Sequence, residues 1–267
     1  MATREVGSGP FCVLQISDCH LAADPAQPYR GRNADAGLRS VLAGAKALAP
    51  DLILCTGDLS EDASPASYQR LVTALESIAA PVCALPGNHD DSDIMRRFFP
   101  AGPWQGPLHL SADVWRIVLL TSAVSGRIDG ALDAADLLRL DELLNEQPDA
   151  PVLLALHHQP IAVGSPWIDR YPLQAPEALL DLVRRHRQVR GGTWGHIHHA
   201  FERQQGRVLW LGAPSTAANS LAGQVRFTLD PEGPACRWLK LYADGSMKTG
   251  TVKHGGQVSG AVRPARV

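Results

Sequence analysis

FCVLQISDCH, residues 11–20, decides the fold: an apolar run with the content of a buried strand ends on a polar turn carrying Asp18 and His20. The same arrangement returns in DLILCTGD (51–58), VCALPGNHD (82–90), VLLALHH (152–158) and GGTWGHIHH (191–199). A parallel sheet brings the carboxyl ends of its strands to one edge, where loops leave and ligands bind. Five polar strand ends, holding seven of the ten histidines, therefore predict one shared site.

The candidate donors are Asp18, His20, Asp58, Asn88, His157, His196 and His198. Carboxylate, imidazole and amide groups without a thiolate suit Mn, Fe, Co or Zn in a catalytic setting better than a closed structural zinc site. Seven donors are too many for one ion with open positions and suit two ions bridged by a carboxylate. Asp58, midway through the set on the Gly57-Asp58 turn, is the natural bridge. Two ions roughly 3.5–4 Å apart clamp an in-line displacement at phosphorus, so phosphoester hydrolysis is the chemistry expected. Asp18 and His20, like His196 and His198, are two apart and face one side in extended backbone. Alone, either pair reads equally well as an ordinary polar turn. Taken with Asp58, Asn88 and His157 they read as ligands, because several buried charges without a cation are costly.

The series Asp-x-His, Gly-Asp, Gly-Asn-His-Asp, His-His and Gly-His-x-His resembles the calcineurin-like metallophosphoesterases. Within that superfamily, ISDCHLA, TGDLSEDASPASYQ, LPGNHD, LHHQPIAVGSPWID, GHIHH and GAPST are similar to the bacterial class III cyclic-AMP phosphodiesterases, over residues 11–247. The resemblance implies an α/β four-layer αββα sandwich of two mixed sheets, in one domain spanning 1–247. It assigns a first metal to Asp18, His20, Asp58 and His198, and a second to Asp58, Asn88, His157 and His196, with a hydroxide bridging the pair. Fe or Mn is the foremost expectation, with Co or Zn as alternatives. Asn88, His89 and His198 would contact substrate, and unligated His89 would protonate the leaving oxygen. The implied reaction is hydrolysis of 3′,5′-cyclic AMP to 5′-AMP by in-line attack. A 2′,3′-cyclic nucleotide, a glycerophosphodiester, a phosphomonoester and a non-catalytic metal scaffold stay open. One departure follows GAPST: the family pattern has a Cys and then bulky or polar residues, where this chain has Ala217-Ala218-Asn219-Ser220.

At 267 residues the chain allows one large domain or two small ones. A net charge of −2 without a long basic run gives little support for nucleic-acid binding. Arg184-Arg185-His186-Arg187 reads as the exposed end of a helix, where cations suit the dipole. The five cysteines form no Cys-x-x-Cys pair or disulfide framework, and MATREVGSGP lacks the apolar run of a signal peptide. No apolar run approaches the roughly 20 residues that span a bilayer. The expected setting is the cytoplasm, with a small phosphodiester as partner, no membrane, and a homodimer left open.

Periodicity predicts helices over about 33–48, capped by Asn33, over 64–79, and from Asp133 with Leu137, Leu140 and Leu144 on one face. VLWLGAP, QVRFTLD and ACRWLKLY read as antiparallel strands, and 248–267 as a mobile, dispensable tail. His158 and His199 point away from the ligand candidates in an extended chain and read as structural. Asp90 either orients His89 or caps a helix near Asp91. His109, His186 and His254 read as surface residues. Trp167 and Tyr171, in Ser165–Tyr171, offer aromatic surface for a nucleobase or simply a packed loop.

Overall fold

The computed structural model describes residues 9–260. In chain order its elements are β1 (Phe11–Ile16), the short hairpin β2 (Pro28–Tyr29) and β3 (Arg32–Asn33), α1 (Ala34–Ala45), β4 (Leu52–Thr56), α2 (Pro65–Leu75), β5 (Val82–Leu85), α3 (Ser92–Met95), β6 (Leu108–Ala112), β7 (Trp115–Leu119), α4 (Ala134–Glu146), β8 (Val152–Ala155), α5 (Pro166–Asp169), α6 (Glu177–Arg185), β9 (Val189–Trp194), β10 (Phe201–Gln205), β11 (Val208–Gly212), β12 (Ala235–Leu241), β13 (Met247–Lys253) and β14 (Val258–Ser259). One sheet runs β14-β13-β12-β1-β4-β5 and the other β10-β11-β9-β8-β7-β6. Both are mixed: β1, β4 and β5 are parallel in the first, and β7, β8, β9 and β11 in the second.

Strands buried on both faces explain the near-continuous apolar runs. Along β1, Val13 joins the core between the sheets while Leu14 and Ile16 join the outer core under α1 and α2. On the second sheet Leu153 and Ala155 point inward, whereas Val152 and Leu154 pack outward with Leu140, Leu144, Leu179 and Leu182 of α4 and α6. The result is the expected αββα layering. Polar residues also cross between the sheets. Gln15 donates to the Thr56 hydroxyl and the Trp194 carbonyl and accepts from Thr193, while Arg237 donates to the carbonyls of Phe201 and Gly212 and to Glu202 and Thr249. Both are fully buried, so these bonds fix the relative placement of the sheets.

Asn33 caps α1 by accepting from the Ala36 amide, as its sequence context predicts, and Ser64 and Asp133, read from the sequence as helix starts, cap α2 and α4. Three expectations are corrected. QVRFTLD is not a strand but most of a loop pinned by a single bridge between Ser220 and Leu229. The tail boundary at 248 falls inside β13, which pairs with β12 along its whole length and with β14, burying Thr249, Thr251 and Val252; residues 261–267 lie outside those described. His186 is not a free surface group: its Nε2 meets Asp141 at 2.5 Å, joining α6 to α4. The His109 ring is half-buried, with Nε2 shielded from solvent, whereas His254 is exposed.

Candidate metal centre

The parallel strands of both sheets end on the same side, and their following loops meet there. Beyond β1 and β4 the two chains keep pairing: the amides of Asp18 and His20 donate to the carbonyls of Gly57 and Asp58. This continued pairing sets the two motifs side by side with Asp18, His20 and Asp58 in left-handed conformation, at φ 52°, 43° and 50°. His196 and His198 adopt it too, at 65° and 53°. Such backbone turns each side chain inward where an extended strand would alternate. Gly57 and Gly87 make room, since a Cβ on Gly87 would lie 2.2 Å from Asp58 Oδ1 and one on Gly57 2.5 Å from His157 Nδ1.

All seven donor candidates converge. His198 Nε2 lies 3.3 Å from Asp18 Oδ1 and 3.2 Å from His20 Nε2. Asp58 Oδ2 stands 3.8 Å from His20 Nε2 and 3.4 Å from His157 Nε2, so its carboxylate is central, as the sequence order suggested. His157 Nε2 is 3.3 Å from Asn88 Oδ1, and the His196 ring centre lies 5.0 Å from that of His157. His89 borders this group with its side chain 36% exposed, and its amide donates to Asp58 Oδ1. With the half-buried Asn88 it forms the open edge of an otherwise buried cluster.

The partners of the outer ring nitrogens fix the tautomers. Nδ1 of His20, His157 and His198 faces Glu61, the Thr56 carbonyl and the Ala218 carbonyl, and Nε2 of His196 faces the Tyr171 carbonyl. Each of these nitrogens must carry the hydrogen, which leaves the other nitrogen of each ring with a bare lone pair. The bare nitrogens of His20, His157 and His198 converge with the oxygens of Asp18, Asp58 and Asn88. Acceptors gathered in a buried place call for a cation, so the donor chemistry fits metal ions. Burial drives the pKa of His20 and His196 down, which favours neutral, ligating imidazoles. Burial opposes ionisation of Asp18 and Asp58, yet His198 and His157 respectively hold both carboxyls below their usual range. Without a cation, burial disfavours a charge on His157, but Asp58 outweighs it and raises the imidazole to about 9, so a proton shared with Asp58 holds the place on Nε2 that a metal ion would take.

Several neighbours carry no motif of their own. Glu61 Oε2 lies 2.7 Å from His20 Nδ1 and 3.3 Å from His89 Nδ1, tying the two rings together. Asp90 does neither task expected of it: its carboxylate receives the amides of Leu59, Ser60 and Gly87 and the Tyr68 hydroxyl, while Asp91 caps α3. Burial and the nearby Asp58 raise Asp90 to about 6. His158 bonds Ser122 and the Ile128 carbonyl through its two nitrogens, and burial takes it down to about 3, so it braces the His157 loop as a neutral ring. His199 turns back onto the Ile197 carbonyl. The Ala217–Ser220 departure leaves the centre intact because the contacts to His198 come from backbone, the Ala218 carbonyl and the Ser220 amide.

The sequence model of the calcineurin-like phosphoesterase family matches residues 12–200, a span that holds every one of these donors and His89. A 3′,5′-cyclic-nucleotide phosphodiesterase of Nostoc is 38% identical over 242 residues, covering 90% of this chain and 91% of the relative. The 3′,5′-cyclic adenosine monophosphate phosphodiesterase CpdA of Pseudomonas aeruginosa is 37% identical, covering 89% and 88%. Among solved structures, a dimetal phosphatase from Danio rerio superposes with a TM-score of 0.71 at 16% identity, covering 94% of this chain and 98% of that one. Two mixed sheets, a pocket of facing imidazoles and carboxylates at their shared edge, and these likenesses agree, and the chain belongs to the calcineurin-like phosphoesterases, a family of hydrolases.

Proposed function

We propose that this protein is a dinuclear phosphodiesterase that hydrolyses 3′,5′-cyclic AMP to 5′-AMP. The observation that carries the metal part of the reading is the facing of bare ring nitrogens and carboxylates around Asp58. Asp18, His20, Asp58 and His198 would hold one ion, and Asp58, Asn88, His157 and His196 the other. Fe or Mn is proposed first, with Co or Zn as alternatives, since such N/O donors accept several ions. Two ions, when bound, supply a nucleophile from water at neutral pH and stabilise attacking and leaving oxygens in line. The cyclic-nucleotide substrate is proposed from the activities named for the relatives from Nostoc and Pseudomonas aeruginosa.

The chain's own groups divide the remaining work. His89, exposed at the pocket rim and anchored by its amide to Asp58, would hand a proton to the departing ribose oxygen. Asn88 and His198 would position the phosphate. Glu61 keeps the His89 ring edge-on to His20, at 4.9 Å between centres. Among the described residues no helix is long and apolar enough to cross a membrane. The cytoplasm is the compartment proposed, and buried cysteines suit it.

The test is kcat/KM for metal-reconstituted protein across 3′,5′- and 2′,3′-cyclic nucleotides, glycerophosphodiesters and phosphomonoesters. Cyclic AMP should lead, giving 5′-AMP with solvent ¹⁸O in its phosphate. Accumulation of 3′-AMP would reverse the proposed orientation. No turnover of any 3′,5′-cyclic nucleotide would move the substrate to another ester, and inertness toward every diester and monoester, activated aryl esters included, would leave a metal-holding scaffold.

A further inference from the structure

Beside the metal centre, on the flank of His20 and His198, three aromatic side chains come from three separate segments: Tyr29 from β2, Trp167 from α5 and Phe227 from the loop before β12. Tyr29 lies flat on His20, 3.9 Å between centres and 5° between planes. Phe227 and Trp167 stand edge-on to His198, at 6.0 and 6.2 Å, and edge-on to each other at 5.3 Å. The Arg30 guanidinium closes the gap: its Cζ lies 4.0 Å from the centre of the Phe227 ring and 5.5 Å from that of Tyr29.

The parts differ in how they are held. Phe227 sits in the loop joined to the centre by the Ser220 amide on the His198 carbonyl. The same loop is bonded to the Trp167 segment through the Gln224 carbonyl and the Gly223 amide. Arg30 is exposed, at the tip of the β2–β3 hairpin, where it and Gly31 take φ values of 47° and 76°. A flat cation thus rests on a fixed aromatic face, at the end of a tight turn, next to the place where a phosphate would bind.

The geometry points to the Phe227 face, backed by Trp167, as the subsite for the planar base of a nucleotide substrate, with the Arg30 guanidinium as its displaceable occupant. This rests on the phosphodiesterase reading above. The guanidinium shows that a flat group fits against Phe227, and a purine ring is a larger group of the same shape. Arg30 can swing out with the hairpin tip and restack on the outer face of the base, so that one stacked guanidinium arrangement gives way to another. Phe227 and Trp167 then set which diesters are preferred, and leave the displacement at phosphorus unchanged.

Two measurements on the metal-loaded full chain test this. Calorimetric binding should show 5′-AMP held more tightly than inorganic phosphate, and Phe227→Ala should remove most of that difference while leaving phosphate affinity unchanged. Phe227→Leu, which keeps apolar bulk without a flat face, should behave likewise, and Phe227→Tyr should retain the preference. In kinetics Phe227→Ala should lower kcat/KM for cyclic AMP by roughly five- to a hundredfold, the range that base stacking on an aromatic ring provides. Turnover of methyl 4-nitrophenyl phosphate, which offers no base, should change less than twofold. Arg30→Ala, which clears the face, should leave 5′-AMP affinity undiminished; a fall as large as that of Phe227→Ala would overturn the displacement. Equal losses on both substrates, or equal affinity of the parent protein for 5′-AMP and phosphate, would overturn the subsite while the phosphodiesterase reading stood. A parent protein that cleaves the methyl ester but no cyclic nucleotide would remove the reading and the subsite together.

Discussion

His20 and His198 face each other Nε2 to Nε2 across 3.2 Å, with their Nδ1 hydrogens already given to Glu61 and to the Ala218 carbonyl. Two lone pairs at that distance repel, and burial of His20 disfavours the proton that would join them. A cation resolves the contact. Metal should therefore raise the thermal midpoint, and a chelator should lower it. Metal analysis of purified variants should find one equivalent in His20→Ala and little in Asp58→Ala, because Asp58 reaches both His20 and His157. Two full equivalents retained in Asp58→Ala would remove its bridging role.

Glu61 accepts from His20 and so fixes which nitrogen of that ring is bare. Loss of such an outer partner typically weakens metal binding about 10–100-fold. Glu61→Ala should show that loss at one of the two ions in a titration, and Glu61→Gln, whose amide oxygen still accepts, should show less. Unchanged binding in Glu61→Ala would mean that stacking on Tyr29 alone orients His20.

His89→Ala should keep both metals, because its ring lies at the rim of the converging donors and meets Glu61 instead. General acid catalysis contributes about 10²–10⁴-fold. The rate on cyclic AMP, with a basic alkoxide leaving, should fall within that range. An activated nitrophenyl diester should lose far less. The same loss on both would reduce His89 to holding the phosphate.

Far from the centre, the His186 hydrogen bond holds the Asp141 carboxyl below its usual range, burial opposing it and Arg185 adding to the effect. A depressed carboxylate stabilises the fold above its unfolded pKa of about 3.9 and loses that contribution as pH falls through the folded value. Urea midpoints of the parent and Asp141→Asn should therefore differ slightly at pH 7 and draw together toward pH 3. A gap that widened in acid would contradict the assignment. The effect should be small, because the pair is partly exposed and solvent screens it.

The strands that position the centre are legible because double-sided burial writes them as apolar runs, each ended by its own polar turn. Asp18, Asp58 and His157 stand out for that reason. Glu61 does not, since an acid beside Asp62 in a polar loop has no pattern of its own, and its role depends on His20, 41 residues away. Asp90 misleads because most of its partners, the amides of Leu59 and Ser60 and the Tyr68 hydroxyl, lie on distant segments that its own sequence context does not announce. β13 is hidden because MKTGTVK alternates threonines with lysine and glycine, and its neighbours β12 and β14 supply the burial that its composition does not announce. Local alternation around Phe227 suggests a strand, whereas bonds to Ser165, Trp167 and His198 hold its segment as a loop.

Five donor residues, Asp18, His20, Asp58, His196 and His198, sit in left-handed backbone that disfavours most side chains by roughly 1 kcal/mol or more and glycine and asparagine least. Glycine or asparagine would relax each of these positions and strengthen the bare fold. A descendant released from the need for chemistry would therefore drift toward those residues, gaining stability with every step. The five bends thus couple strain to function: a glycine at any of them would ease the shell and at the same stroke take away a donor.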